Sequence, residues 1–186
     1  GSGPEAMKSS KIAVKMLERL LTAGFDKDVS LKLINSTLSA NTEDDMFATL
    51  DIEILDLYNG NMEFIKNSAC PTYVKRGRDI QLLKSMSLPT GILNDVDLVV
   101  YDYDLQDGDI LVMCTDGVID SNKEFVNKQL WLRYLLEDIE TNDAQKIADI
   151  IIGEAIDNDF GNQKDDMSVI VAKITKKNWQ RGHFFW

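Results

Sequence analysis

The chain has 186 residues, with 31 Asp and Glu against 20 Lys and Arg, a formal charge of -11 and a pI near 4.5. That length suits one domain with a sizeable core, and that charge argues against nucleic acid or an anionic membrane as partner. Two cysteines, Cys70 and Cys114, are too few for a disulfide framework and read as reduced core thiols. No apolar stretch has the length of a membrane span and no secretory signal is visible, so the expectation is a cytoplasmic domain without direct membrane contact.

Gly1-Ser2-Gly3 is either an expression scar or the end of a glycine-rich loop. Pro4 to Ala23 reads as a helix, because Ile12, Met16, Leu17, Leu20 and Leu21 recur at helical spacing, and Gly24 is a stop. Asp26 caps a second helix carrying Val29, Leu31, Leu33, Ile34 and Leu38. A polar stretch, Asn41 to Asp45, follows, and the period then changes. Leu50, Ile52, Ile54 and Leu57 alternate as in a half-buried strand, Asn59-Gly60 marks a hairpin turn, and Met62 to Lys66 returns.

Thr72 to Lys75 and Ile80 to Leu83 form a second hairpin around Arg76-Gly77-Arg78. Val96 to Tyr103 is a further strand, and an Asp107-Gly108 turn leads into the apolar run Asp109 to Cys114. Helices are expected over Phe125 to Leu136 and, behind an Asn142 or Asp143 cap, over Asp143 to Asp157. Met167 to Ile174 is the last strand, and residues 176–186 form a peripheral tail. Consecutive hairpins with flanking helices give an α+β fold with antiparallel strands.

Two stretches carry the chemistry. The run ending at Cys114 delivers the carboxylate of Asp116, with Gly117 allowing a tight turn. Asp165-Asp166 stands just before the last strand. If these strands pair antiparallel, Asp116 and Asp165 meet at one end of a sheet, and two converging carboxylates call for an oxygen-ligated cation such as Mg²⁺ or Mn²⁺. Read singly, each stretch is equally an ordinary solvated turn. A third acidic contributor is missing from the pattern; Asp44-Asp45 and Asp102 have no evident strand-end placement. No Ser, Cys or His constellation for covalent catalysis and no phosphate loop is present, and His183, the only histidine, lies in the tail. Lys75, Arg76 and Arg78 form a basic hairpin tip that serves as a solvated turn or as a greeting for phosphate or an acidic partner.

The order Thr115-Asp116-Gly117, a helical interval, then Asp165-Asp166-Met167-Ser168-Val169 resembles the last two acidic motifs of the PPM family of metal-dependent serine/threonine protein phosphatases. Thr49-Leu50-Asp51 to Asp56-Leu57, Cys70-Pro71-Thr72-Tyr73-Val74-Lys75-Arg76-Gly77 and Leu88-Pro89-Thr90-Gly91-Ile92-Leu93 narrow the resemblance to its stage II sporulation protein E branch, over nearly the whole chain to about Ile174. The resemblance implies a sandwich of antiparallel β-sheets flanked by antiparallel helical pairs, and two Mn²⁺ or Mg²⁺ ions that activate a water against phosphoserine. Asp116 and Asp165 become the metal ligands and catalytic residues, and Asp166 at most supports its neighbour.

The implied substrate is a phosphorylated anti-anti-sigma factor, whose dephosphorylation activates a sporulation sigma factor. The implied parent is anchored in the cell membrane at the sporulation septum. The opening helical pair resembles the family's switch element, and equally reads as an amphipathic core hairpin. The family's first acidic motif is absent, and Gly1 to Ala6 resembles its tail. The expectation is therefore a phosphatase domain over residues 1–175, truncated at its amino terminus with its first strands missing. Such a chain would have little activity alone and an exposed sheet edge favouring a homodimer or swapped oligomer. Two other readings stand beside it: a non-catalytic interaction module on the same scaffold, and a stress-response phosphatase of the same family.

Overall fold

A computed structural model of the chain describes residues 3–40, 49–57, 60–84, 99–159 and 165–176. The elements run α1 (Gly3–Thr22), α2 (Lys27–Ala40), β1 (Leu50–Leu55), β2 (Asn61–Asn67), β3 (Thr72–Arg76) and β4 (Asp79–Leu83). They continue with β5 (Val99–Asp104), β6 (Ile110–Cys114), α3 (Asp116–Ile119), α4 (Gln129–Asp138), α5 (Ala144–Asn158) and β7 (Val169–Lys173). The chain divides into two compact units, one of Gly1–Ile54, Glu63–Ala69 and Lys84–Tyr101, the other of Leu55–Met62, Cys70–Leu83 and Asp102–Trp186.

In the first unit, α1 and α2 pack together. Gly24 closes α1 at φ +84°, and the N–H groups of Ala23, Gly24 and Phe25 return to the carbonyls of Arg19, Leu21 and Leu20. Only glycine takes that left-handed closure without a Cβ penalty. Asp26 opens α2 as expected: its carboxylate accepts the Asp28 N–H at 2.8 Å. Ala13 of α1 meets Leu31, Ile34 and Leu38 of α2 and Ile65 of β2, with Leu50, Ile52 and Ile54 of β1 leaning on the cluster. The strand order of this sheet is β1-β2-β5. Lys66 is fully buried in β2 and is satisfied by Asp51 at 2.5 Å.

The second unit holds the sheet β4-β3-β6-β7, in which each described pairing is antiparallel. Gly77 takes φ +62° in the β3–β4 turn, where Arg76 faces Asp79. On one face of this sheet, Tyr73, Ile110 and Val112 pack with Val118, Trp131, Leu132, Leu136, Ile147 and Ile151 of the helices. Each fully buried side chain of this size contributes about 1.5–3 kcal/mol. Polar atoms in that core are satisfied: the Trp131 indole donates to the Ile119 carbonyl and the Tyr73 hydroxyl to the Gln129 carbonyl, both at 3.0 Å. Asp143 caps α5 by accepting the Lys146 N–H at 3.1 Å.

Three local departures from the sequence reading have physical causes. The helix expected from Phe125 begins at Gln129, because Asn127 takes the N–H groups of Gln129 and Leu130 on its side chain and carbonyl. The four-residue α3 has no counterpart among the expectations, since one turn carries no periodicity to read. Two of the three cations of the basic tip are engaged within the fold, and Arg78 is exposed. Lys75 is buried and donates to the carbonyls of Gly77 and Leu136 at 2.7 Å, while Arg76 forks onto the Asp109 carboxylate at 2.8 and 2.7 Å. The expected tail beyond Lys176 with His183, the Asn41–Asp45 stretch and the Leu88–Leu93 motif lie outside the described residues.

Candidate metal centre

The two acidic stretches meet because β6 and β7 pair antiparallel, with Cys114 opposite Val169. β6 therefore ends, and β7 begins, at the same end of the sheet. Thr115 ties the two chain segments there. Its N–H donates to the Ser168 carbonyl at 3.1 Å, its Oγ1 donates to the Asp166 carbonyl at 3.1 Å, and Oγ1 accepts the Ser168 N–H at 3.0 Å. The hydroxyl is thus spent across the strands, and α3 starts without a side-chain cap from it.

Gly117 makes the approach close. A Cβ placed on it would stand 2.5 Å from the Asp166 carbonyl oxygen and 3.4 Å from the Asp165 Cβ. Asp165 and Asp166 therefore sit directly against the first turn of α3, whose first residue is Asp116. Each predicted ligand accepts the N–H of its own successor: Asp116 Oδ1 from Gly117 at 3.1 Å and Asp165 Oδ1 from Asp166 at 2.9 Å. Both carboxylates are exposed, and no ion pair among the described residues involves either. Asp116 and Asp165 offer carboxylate oxygens alone, the donor type that a hard divalent cation retaining several of its own waters takes. Among the described residues, no group of three or more His, Cys, Asp or Glu converges on one point. Asp102 lies exposed on β5, and Asp44-Asp45 are outside the described residues.

Two residues escaped the sequence reading. Thr115 was visible only as part of a motif, and its cross-strand bonds need the register of β6 on β7 to be known. Asp109 read as the start of a strand, yet it is buried and clamps Arg76 and the Gln106 N–H. Burial pushes its carboxyl up, but the hydrogen bonds from Arg76 and Gln106 outweigh that and hold it below the ordinary 3.8. A signal was present: Asp at the foot of an apolar strand, with an arginine in the neighbouring hairpin.

Comparison with known proteins gives the family of the chain. Residues 1–175 match the model of the family described as stage II sporulation protein E (SpoIIE). The chain belongs to that family. It is 37% identical over 174 residues to the stage II sporulation protein E of Bacillus subtilis (strain 168), covering 94% of this chain and 21% of that protein. The solved PP2C phosphatase domain of B. subtilis SpoIIE with a fragment of its regulatory domain superposes at a TM-score of 0.85 and 37% identity, over 94% of this chain and 52% of that one. The phosphatase domain of the same protein from crystals presoaked with Mn gives 0.69 and 34%, over 89% and 74%. The chain thus spans about a fifth of the SpoIIE relative and carries its PP2C-type serine/threonine phosphatase domain fold. Among the described residues, no helix is long and apolar enough to cross a membrane.

Proposed function

We propose that this chain is a metal-dependent phosphoserine hydrolase domain over residues 1–175, with Asp116 and Asp165 holding a Mn²⁺ or Mg²⁺ ion at the end of the β6–β7 pair. The observation that supports the reading is the close approach of Gly117 to the Asp166 carbonyl, which sets the first turn of α3 beside the Asp165-Asp166 segment. A divalent ion bound there supplies charge that neutralises phosphoryl oxygens and acidifies a water. The chain's own part is positional. Asp116 is fixed by the end of β6 and the first turn of α3, Asp165 by its N–H partner and the Thr115 bridge, and Asp166 by its backbone. Thr115 keeps the two carboxylates in register, so neither has to be recruited when substrate arrives.

Membership of the SpoIIE family supports a phosphorylated anti-anti-sigma factor as substrate, with release of a sporulation sigma factor as the outcome. The Mn soak of the relative's crystals supports manganese as a working ion. β7 ends the sheet order among the described strands, which supports association with a second copy; sedimentation velocity tests it. The deciding experiment is Mn²⁺ titration by calorimetry on this chain and on Asp116→Asn and Asp165→Asn, beside phosphate release from a phosphoserine protein. Heat of binding that either substitution abolishes is the expected result. Equal binding by all three proteins would refute the assignment of the ligands.

A further inference from the structure

A cavity of about 260 Å³ lies between the β3–β4 turn and the end of α4. β3 ends, and β6 begins, at this end of the sheet, whereas Asp116 follows the other end of β6. The cavity and the proposed metal centre are therefore at opposite ends of the same strands. The most buried residue of its lining is Lys75, only 4% exposed. An ammonium has three N–H donors. Lys75 gives two of them to the carbonyls of Gly77 and Leu136 at 2.7 Å, and no ion pair among the described residues involves it. A buried cation held only by neutral carbonyls is short of a counter-ion. Arg78, exposed on the same lining, has no ion pair among the described residues either. Burial first, and then the charge of Arg78, hold the Lys75 pKa below the usual lysine range, as expected where the anion is lacking.

The rest of the lining comes from the end of α4 and the segment after it. Glu137 is taken by Arg133 at 2.9 Å, whereas Glu140 is exposed and in no ion pair among the described residues. Asn142 adds an amide oxygen, and Ile139 a small apolar surface. The cavity thus carries two uncompensated cations from the hairpin and one uncompensated carboxylate from the helix end. Phosphate would satisfy Lys75 and Arg78 but set its whole charge among Glu137 and Glu140, and a simple amine would meet the reverse difficulty at Lys75. A dipolar ion satisfies both sides. The volume falls just below the range of about 300–1,000 Å³ that holds drug-sized ligands, so the occupant is smaller than those.

We propose that this cavity binds a free α-amino acid, with its carboxylate on Lys75 and Arg78 and its ammonium on Glu140. The site is independent of the metal centre, and the test contains no metal. The ¹H–¹⁵N NMR spectrum of the chain is titrated with L-valine, with N-acetyl-L-valine, which lacks the ammonium, and with inorganic phosphate. Each is taken to about 50 mM, well above the Kd of about 1 mM expected of so small a ligand. Valine should give saturable shifts at residues 76–79 and 137–142, with the other two binding at least about tenfold more weakly. Arg78→Gln should weaken valine about tenfold. Glu140→Gln should weaken valine by a similar factor and leave N-acetylvaline unchanged, a pattern that general loosening of the fold does not produce. Lys75→Met should abolish valine binding; the two exposed substitutions keep the question decidable if that variant fails to fold. No saturable shift with valine would overturn the proposal. So would N-acetylvaline or phosphate binding as tightly as valine, or valine binding unchanged in Arg78→Gln and Glu140→Gln.

Discussion

The tightest constraint at the site is an absent side chain. Gly117 sits where a methyl group would lie 2.5 Å from a backbone carbonyl oxygen, and a backbone atom cannot swing aside as a long side chain can. Gly117→Ala should therefore separate α3 from the Asp165-Asp166 segment at a cost of about 2–3 kcal/mol, and lower Mn²⁺ affinity with it. Thermal melting and calorimetry on one preparation read both. Asp109 offers a pH handle at the far end of β6. Its folded carboxyl is held below the ordinary 3.8, so the stability it contributes is complete above that value and drains away as pH falls through the folded pKa. Wild type should lose stability below about pH 4 more steeply than Asp109→Asn, which at neutral pH should already be weaker by about 2–3 kcal/mol because Arg76 has lost its carboxylate.

Among the elements, the β3–β4 hairpin and α4 are joined by one buried ammonium. Lys75 donates to the Leu136 carbonyl near the end of α4 and to Gly77 in the turn, and burial holds its pKa below the usual lysine range. Lys75→Met fills the same space but leaves two carbonyls short of a donor, and should cost about 1–2 kcal/mol in chemical denaturation. An unchanged midpoint would mean that water replaces the ammonium. This residue also marks where sequence reading stops. Lys75, Arg76 and Arg78 stand together around a glycine turn, and three cations at a turn look solvated until it is known that α4 ends on top of one and that Asp109 faces another. By contrast, β6 and β7 were legible as strands, each an apolar run beside turn-forming acids, and they pair antiparallel. That pairing was the condition on which Asp116 and Asp165 were expected to share one end of the sheet. The bonds of Thr115 were not legible, because a hydroxyl's partners depend on register to a single residue.

For the whole molecule, metal and stability are linked. Any cation that binds only the folded chain stabilises it by mass action, about 2.7 kcal/mol at a hundredfold excess over Kd, or several degrees in Tm for this size. Mn²⁺ should raise the melting temperature of wild type and leave Asp116→Asn unmoved. Without metal the difference should disappear, since the ion is what distinguishes the two proteins. Differential scanning fluorimetry with and without chelator reads all four cases.

The pairing of β6 with β7 also has a consequence in time. Asp116 and Asp165 are separated by about 50 residues of chain, including α4 and α5, and they come together only through the last strand. The α1–α2 hairpin depends on near neighbours and can form early, whereas loop closure over that distance is slow and must await the synthesis of β7. A nascent chain short of β7 holds Asp116 without Asp165, so the proposed centre cannot assemble until β7 has left the ribosome.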